Sequence, residues 1–575
     1  MQSTPVHERR CYCGKLYQTV SSLGRHSRAC PASLPDCKHL LELLAYLEPQ
    51  PIPGDLFHRA LLPLRTWNEN GNETRERVFQ LPAVFGSTER LDAAIKNIID
   101  TCAVRVSIGS TVPDADQAPL WAYRDLELPE SSRRFIRNSL ESQESDSREL
   151  EAARLVFHAF PIPDLHANFV QNGRVFFPLV MPQLQRLPMD KLFENELPRM
   201  VEICISVSYF GDCHTKNQAL ALGQAIASRI ALSPLALSVE LRQITLSLLN
   251  GETVSFSLLP KTDRKGNSQR AEALLLHAQQ AIEHGRISEA WELVKQWTPL
   301  YAAQPSSLEN IMTSRLDYMK GKLHRFQGHF EVARRYFEPL FDQHPPPREQ
   351  FSSGLHLVAI YSELGLWEKA KAVMDKIQIF TDRQRRLHRL AQAELSLSRG
   401  LCEFPDDLGL AKELFAGLAN EYDSLVPCGK TMRRNFFRVC FGLAIIGHLK
   451  RQGQPEFGVV RCLNEWKLAY EASRGCLVAD EGFPDLVCHL SMAQVKSSFR
   501  ESGPDLRQDL ERTQQIWSTL SSQTLEQRFF FTNLGTRWVD MVSEWLEQSG
   551  MPRIVPPWRL STVVGEEQGS SAELL

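Results

Sequence analysis

The sequence predicts a mainly α-helical protein with a small ββα unit, a domain of three helices and a hairpin, and a long helical repeat region. Three observations support this fold class. Cysteine and histidine residues with metal-ligand spacing lie near the start, three helical patterns precede two alternating segments, and glycine and alanine recur at fixed spacing further on. At 575 residues, the chain has room for about three or four structural units.

Composition excludes bulk electrostatic binding of nucleic acid or membranes, because the net charge is -3. Any such contact must be local. The 13 cysteines are mostly far apart, which favours reduced thiols inside a cell. The start is not apolar enough for a signal peptide, and no stretch of about 18 apolar residues occurs, so we expect an intracellular protein without membrane contact.

The first element, residues 8–31, carries four candidate zinc ligands: Cys11, Cys13, His26 and Cys30. A structural zinc ion takes four nitrogen or sulfur ligands, usually one pair from a tight turn and one pair from a helix. His26 and Cys30 are four residues apart and therefore share a helix face. Zn²⁺ would supply most of the stability of so small a unit, about 10–16 kcal/mol in comparable peptides.

This segment resembles the C2H2 zinc-finger family, as a C2HC variant. Its pattern C-x-C-x3-Y-x5-L-x2-H-x3-C places Tyr17 and Leu23 at the two core positions. The first knuckle is one residue shorter than in the family, and Cys30 stands in place of the last histidine. A degenerate segment without metal is the alternative.

The resemblance implies that the finger helix contacts DNA. The base-reading positions fall on Thr19, Ser22 and Arg25, with Ser21 as an auxiliary position, and the basic charges of Lys15 and Arg28 suit phosphate contact. One finger reads about three base pairs, so specific binding requires a partner or a second surface. A finger that contacts protein and a vestigial finger remain open alternatives.

The second element, residues 36–140, is predicted to be a winged helix. Leucines at helical spacing over 40–47, a second helix over 55–62 and a third helix capped by Ser87 precede two strands, "AVRVSI" and "LWAYRDL". The acidic residues of the third helix argue against DNA binding by this domain.

The segments "LLELLAYLEPQPIPGDLF" and "LELPESSRRFIRNSL" resemble the winged-helix module of fungal NLR-like (STAND) proteins. That resemblance implies a receptor in which a finger replaces the ATPase. The phosphate-binding pattern G-x4-G-K-[ST] does not occur in the sequence, so we expect no nucleotide binding.

The third element, residues 150–550, is predicted to be a helical repeat after a polar linker, "ESQESDSREL". Three segments align without gaps. Each has a glycine, an alanine five residues later and a bulkier apolar residue four beyond: Gly285, Ala290 and Val294; Gly328, Ala333 and Phe337; Gly365, Ala370 and Met374. The glycine permits a tight turn between two helices, and the alanine permits their close packing.

Gly321 and Pro345 complete the resemblance of the best unit to a tetratricopeptide (TPR) repeat, although Asp317 stands where the family has tryptophan. Ala411 and Phe415 mark a fourth unit. The alternative is a non-repetitive helical bundle. Solenoids of this kind expose a surface that binds peptides or protein faces. His324, Arg325 and Tyr361 are candidate contacts, but they are more typical of helix surface or core.

Three other segments carry weaker signals. Cys213 and His214 are expected to be a loop cysteine and a surface histidine, since no catalytic partner is evident. The basic segment 261–270 is expected to be a solvated connection, with a localisation signal as the alternative. The tail, 558–575, is expected to be disordered.

These patterns together predict a non-enzymatic zinc-finger regulatory protein, a DNA-binding transcriptional regulator, for example of a fungal metabolic pathway. We expect a nuclear protein that binds partner proteins through its repeats. The alternative is a cytoplasmic, NLR-like interaction scaffold whose finger contacts protein.

Overall fold

The computed structural model describes most of the chain after the first 33 residues. It covers residues 30, 34–101, 103–109, 111, 118–166, 168–186, 191–230, 233–250, 252, 254, 263–342, 347–379, 381–402, 404–425, 430–452, 458–474, 482–497, 504–522 and 535–548. The chain forms two compact units, Met1–Gln243 and Ile244–Leu575. The described part is predominantly helical, with 22 helices and five short strands, as the sequence predicts.

The first unit begins with helices and strands in alternation. The elements are α1 (Pro35–Tyr46), β1 (Ile52–Pro53), α2 (Gly54–Leu61), β2 (Leu64–Trp67), β3 (Glu73–Glu76), α3 (Thr88–Asp100), β4 (Arg105–Ile108), β5 (Arg124–Glu127) and α4 (Glu130–Ser139). Helix α1 is central because its leucines are fully buried and it packs on both α3 and α4. The Ser87 side chain caps α3 by accepting from the backbone N–H of Arg90, as expected.

Three strands form an antiparallel sheet in the order β1, β5, β4. Ile52 pairs with Leu126, and Val106 pairs with the same residue from the other side. The predicted second strand is therefore correct in position but begins at Arg124, because residues 120–123 form a 3₁₀ turn instead. A separate hairpin, β2–β3, is not predicted by the sequence, because its polar strands show little alternation of apolar residues.

The predicted polar linker is a helix. Residues 142–150 are the first half of α5 (Ser142–Ala159). Their charges pair with α1, since Arg148 donates to Glu42 at 2.8 Å and His39 lies 2.7 Å from Glu151. The polar run resembles a linker in sequence because these partners lie more than 100 residues away.

The first unit continues through α6 (Phe169–Arg186), α7 (Leu197–Val207), α8 (Cys213–Arg229) and the first part of α9 (Ser233–Leu249). Helices α7 and α8 pack side by side at Gly223, where a β-carbon would lie 3.0 Å from the Cys204 side chain. No helix of the described residues is long and apolar enough to cross a membrane.

The second unit is a series of helix pairs. Its helices after α9 are α10 (Arg264–Glu283), α11 (Ile287–Lys295), α12 (Ser307–Phe326), α13 (Phe330–Asp342), α14 (Pro347–Leu364), α15 (Trp367–Lys376), α16 (Asp382–Cys402), α17 (Asp407–Asp423), α18 (Lys430–Gln452), α19 (Val459–Arg474), α20 (Phe483–Ser497), α21 (Pro504–Ser522) and α22 (Gly535–Gln548). Segment 264–270 belongs to α10, so this part of the expected solvated connection is helical; Asp263 caps the helix.

Consecutive pairs stack through their first helices. Helices α10, α12, α14, α16 and α18 contact one another in sequence and form what we call the first-helix layer. The second helices α11, α13, α15 and α17 each pack against their own first helix and against the next one. This order is consistent with a helical repeat region.

Glycine makes the turns within three of the pairs. Gly285, Gly328 and Gly365 have φ angles of 72°, 80° and 73°, a left-handed conformation that other residues rarely adopt. The alanine five residues after each glycine is completely buried, as the sequence predicts. Gly321 meets the second helix of its pair so closely that a β-carbon would lie 2.9 Å from Phe337. Pro345 lies outside the described residues.

Aromatic side chains fill the end of the second unit. Trp466 and Trp538 are fully buried with ring centroids 5.9 Å apart, and Trp466 donates to Nδ1 of buried His448. Helix α22 reaches back to the third pair, where Arg537 Nη2 donates to the carbonyl of Glu363 at 3.1 Å. The last described helix is therefore held by contacts that are distant in sequence.

Replacing Gly442 by alanine should destabilise the second unit by about 1–3 kcal/mol, because the new methyl group would lie 2.4 Å from the Phe415 ring. Urea unfolding followed by circular dichroism measures this loss. Gly409, in helix α17, is the matched control, because a β-carbon added there would meet no atom within 4 Å. Its alanine variant should be as stable as the wild type or more stable, and equal losses in both variants would contradict the packing argument.

The first unit should lose stability in mild acid because burial lowers the pKa of His158 to about 4. Nearby Arg199 and Arg77 oppose protonation further, while the hydrogen bond to the Leu62 carbonyl favours it. The stabilising contribution is complete above the ordinary pKa of about 6.5 and is lost as the pH falls towards 4, by about 2 kcal/mol between pH 7 and pH 5.

Urea unfolding at both pH values, with wild type and His158→Gln, tests this expectation. Glutamine keeps an N–H donor but does not titrate, so its loss of stability on acidification should be smaller. The same change at exposed His214 is the control and should leave the wild-type pH dependence intact. A His158→Gln variant that is as acid-sensitive as the wild type would contradict the assignment.

Candidate partner-binding surface

The predicted zinc and DNA-contact residues lie almost entirely outside the described residues. This holds for the candidate ligands Cys11, Cys13 and His26, and for the predicted DNA contacts Lys15, Thr19, Ser21, Ser22, Arg25 and Arg28. The predicted tail, 558–575, lies outside them as well. The predictions for these residues therefore stay predictions.

Cys30 is the candidate ligand that the structure describes. Its side chain is buried at 6% exposure and forms no disulfide. The pKa of nearby Cys37 is raised, chiefly by burial, and Cys30 contributes to the rise. Among the described residues, no group of three or more histidine, cysteine, aspartate or glutamate side chains is arranged to hold a metal ion.

Cys213 and His214 lie in the first turn of α8. The prediction of a loop cysteine is therefore wrong, whereas His214 is exposed as expected. Asp212 caps this helix by accepting from the N–H of Thr215, and Cys213 is exposed. The His214 ring lies 2.8 Å from the Gln218 amide on the same helix. No acid or base partner for Cys213 appears among the described residues.

A row of polar side chains crosses the first-helix layer. At one end, Lys322 of α12 donates to Gln279 of α10. Beside it, Arg325 Nη1 lies 2.7 Å from Nδ1 of His356 on α14, and His356 Nε2 lies 3.0 Å from the hydroxyl of Tyr318. The row therefore joins three successive pairs through side chains.

The partners of His356 fix its tautomer. A guanidinium group can only donate, so Nδ1 must accept from Arg325 and the ring proton lies on Nε2, which donates to Tyr318. The pKa of His356 is well below its usual value, first because the ring is buried and then because of the charges of Arg325 and Lys322. The histidine is therefore a neutral acceptor that orients Arg325.

The row continues across α16 and α18. Ser398 donates to the carbonyl of Ser362 on α14, and Arg438 binds Glu394 through two hydrogen bonds of 2.7 Å. Such a paired contact matches the planar guanidinium to the carboxylate. The Glu394 side chain is 9% exposed and that of Arg438 is 21% exposed, so this ion pair is largely buried.

Glu363 and Arg386 also carry charge in this part of the layer. Burial and, after it, the charge of Arg438 lower the pKa of Arg325 to about 10, although Glu394 and Glu363 act in the opposite direction. Arg438 and Arg386 both act on the buried hydroxyl of Tyr422, whose pKa is raised mainly by burial. We call Arg325, Arg386 and Arg438 the arginine cluster.

Of the three contacts suggested by the sequence, only Arg325 belongs to the row. His324 packs against aromatic residues of α11 and α13. Its ring centroid lies 4.8 Å from that of Trp291 and 5.7 Å from that of Tyr336. Tyr361 donates to Glu338 at 2.6 Å and lines an open notch of about 180 Å³ between α13, α14 and α15.

Local sequence patterns do not identify His356, Glu394 and Arg438, because their partners come from different helix pairs. Arg325 and His356 are 31 residues apart, and Glu394 and Arg438 are 44 apart. One signal was available. Glu394 stands in "LAQAELSLS" and Arg438 in "NFFRVCFGLAII", where isolated charges interrupt apolar helices.

Comparison with protein-family models gave no match, and comparison with curated proteins gave no match either. The geometry and charge of the surface are therefore the evidence for its function.

Replacing Glu394 by glutamine should destabilise the second unit by about 3 kcal/mol, because Arg438 would keep its charge in a largely buried position. The double variant Glu394→Leu, Arg438→Met should recover most of this loss. Urea unfolding of the single and double variants measures both effects.

The matched control is Asp382→Asn, since the ion pair of Asp382 with Arg385 is exposed at 79% and 68%. It should cost less than about 1 kcal/mol. A double variant less stable than Glu394→Gln would contradict the view that the unpaired charge causes the loss.

Proposed function

We propose that this chain is a non-catalytic regulatory protein that binds partner proteins through its helical repeats and DNA through an N-terminal zinc finger. The observation that carries the proposal is the polar row across the first-helix layer. Helical repeats use a continuous layer of this kind for peptides and protein faces. The repeats are of TPR type on this proposal, in agreement with Gly321, the positive φ angles of the turn glycines and the buried alanines.

The N-terminal part of the first unit is proposed to be a winged helix. Helix α1, strand β1, helices α2 and α3, and strands β4 and β5 follow one another in that order, and the sheet order β1, β5, β4 suits this fold. Its third helix is a poor DNA reader because Glu89 and Asp92 lie on it, and Asp92 already accepts from the Trp121 indole at 2.7 Å. We assign the domain to protein contact instead.

The finger is proposed to bind one zinc ion through Cys11, Cys13, His26 and Cys30. A buried cysteine thiol at position 30 has the right chemistry for a structural zinc ligand. When bound, the metal would tie the first turn to the following helix and so fix Arg25 for contact with guanine. This function places the protein in the nucleus.

The second candidate is a cytoplasmic scaffold in which the finger is one more protein contact. The anionic side chains of α3 favour it, since they make this helix a poor second surface for DNA. Neither candidate involves nucleotide or catalysis.

Selection from randomised duplex DNA, with full-length zinc-loaded protein, tests the proposal. We expect the wild type to contain one zinc per chain and to enrich a short motif. His26→Ala should lose both, and Arg25→Gln should keep the zinc but bind a guanine-containing motif about 5- to 150-fold more weakly, as lost base contacts do. Arg461→Gln, which removes an exposed charge on α19, is the control and should bind like the wild type.

A zinc-loaded wild type that enriches no sequence would overturn DNA binding. Retention of the same partner proteins by wild type and His26→Ala would then favour the scaffold. If His26→Ala kept its zinc, the ligand assignment itself would be wrong.

A further inference from the structure

The arginine cluster concentrates positive charge on a protein whose net charge is -3. Arg325 and Arg438 both lie within electrostatic range of Glu394, and Arg386 acts with Arg438 on Tyr422. Lys322 lies one helical turn before Arg325. Against these four cations stand Glu394, Glu363 and Glu421. Because Arg389 forms an ion pair with Glu421, an excess of two positive charges remains on this part of the first-helix layer.

Two of these cations are held in place before any ligand arrives. Arg325 lies 5.6 Å from the centroid of the Phe326 ring and is oriented by His356, and Lys322 lies 5.7 Å from the same ring. Both side chains are only partly buried, so they remain accessible. Cations fixed in this way lose little conformational entropy when they bind an anion.

Arg386 supplies a further binding group. It is partly buried on α16, its Nε atom is enclosed, and it makes no hydrogen bond or ion pair with any other described residue. A guanidinium in this position carries unused donors with the geometry that a carboxylate fits. Arg438, by contrast, is already engaged with Glu394.

We propose that the arginine cluster, with Lys322, is the binding site for an acidic segment of a partner protein, whose aspartate or glutamate side chains bind Arg325 and Arg386. This inference rests on the proposed function of the repeats as a protein-binding surface and names the chemistry of the partner. Clusters of arginines recognise acidic motifs through paired hydrogen bonds.

A short acidic peptide fits the charge better than nucleic acid does. The excess is local, with two positive charges, whereas a duplex presents a negative charge about every 1.7 Å along its axis and requires an extended basic surface. A peptide with a few carboxylates can match the cluster alone.

A random dodecapeptide display library, selected on immobilised full-length protein, tests the inference. Peptides enriched by the wild type should carry an excess of aspartate and glutamate. A synthetic copy of the most enriched peptide should bind about tenfold or more weakly to Arg325→Gln, Arg386→Gln, measured by fluorescence anisotropy. Its binding to the wild type should weaken as salt rises.

The matched control, Arg461→Gln, Arg134→Gln, removes the same charge from side chains that are 80% and 77% exposed, and it should bind within about twofold of the wild type. Circular dichroism checks that both double variants fold. Compared with glutamine at position 325, the variant Arg325→Lys restores the positive charge but not the paired donors of the guanidinium, so it should recover part of the affinity.

Each other outcome overturns the inference in a recognisable way. Enrichment of neutral or basic peptides, or equal binding by the cluster variant, would overturn the acidic partner and leave the repeats as a protein-binding surface. A library without any enriched peptide would also count against the proposed function. Stronger binding by a synthetic peptide of residues 565–575 than by the selected peptides would assign the cluster to this chain's own acidic segment.

Discussion

The close approach of the two helices within each pair is the constraint on which the second unit depends. Gly321 leaves no space for a β-carbon against Phe337 of its own pair, and Gly442 leaves none against Phe415 of the pair before it. Ala333 and Ala411, on the second helices, are completely buried. Small residues bring the helix axes together, and a large aromatic ring fills the space that remains. Because the second helix of each pair is fixed in this way, the first helix of the next pair packs on a defined surface.

The polar row follows from that packing. Once the first helices lie side by side, residues near one face of each helix come within hydrogen-bonding distance across the layer, as Arg325 and His356 do. Polar contacts of this kind specify a register, because a shifted helix would leave Glu394 or Arg438 buried without its partner. The layer thus combines apolar packing on one side with a charged surface that remains partly accessible.

Much of the fold could be predicted from local sequence. Gly328 and Ala333, five residues apart, identify both a turn and a close helix contact, and Ser87 identifies the start of α3. The polar residues 142–150 were mistaken for a linker because their charges are satisfied by α1, which no local pattern reveals. The arginine cluster could not be predicted for the same reason. Its residues belong to three helices, and only the stacking of the pairs brings them together.

Helix α22 has a consequence for the order in which the molecule assembles. The earlier pairs pack on helices that lie next to them in sequence, so stacked pairs can form while later helices are still being synthesised. The bond from Arg537 to the Glu363 carbonyl, in contrast, spans 174 residues and waits until α22 has been synthesised. During translation the stacked pairs therefore form without the hydrogen bond from Arg537, which can be made only once α22 is complete.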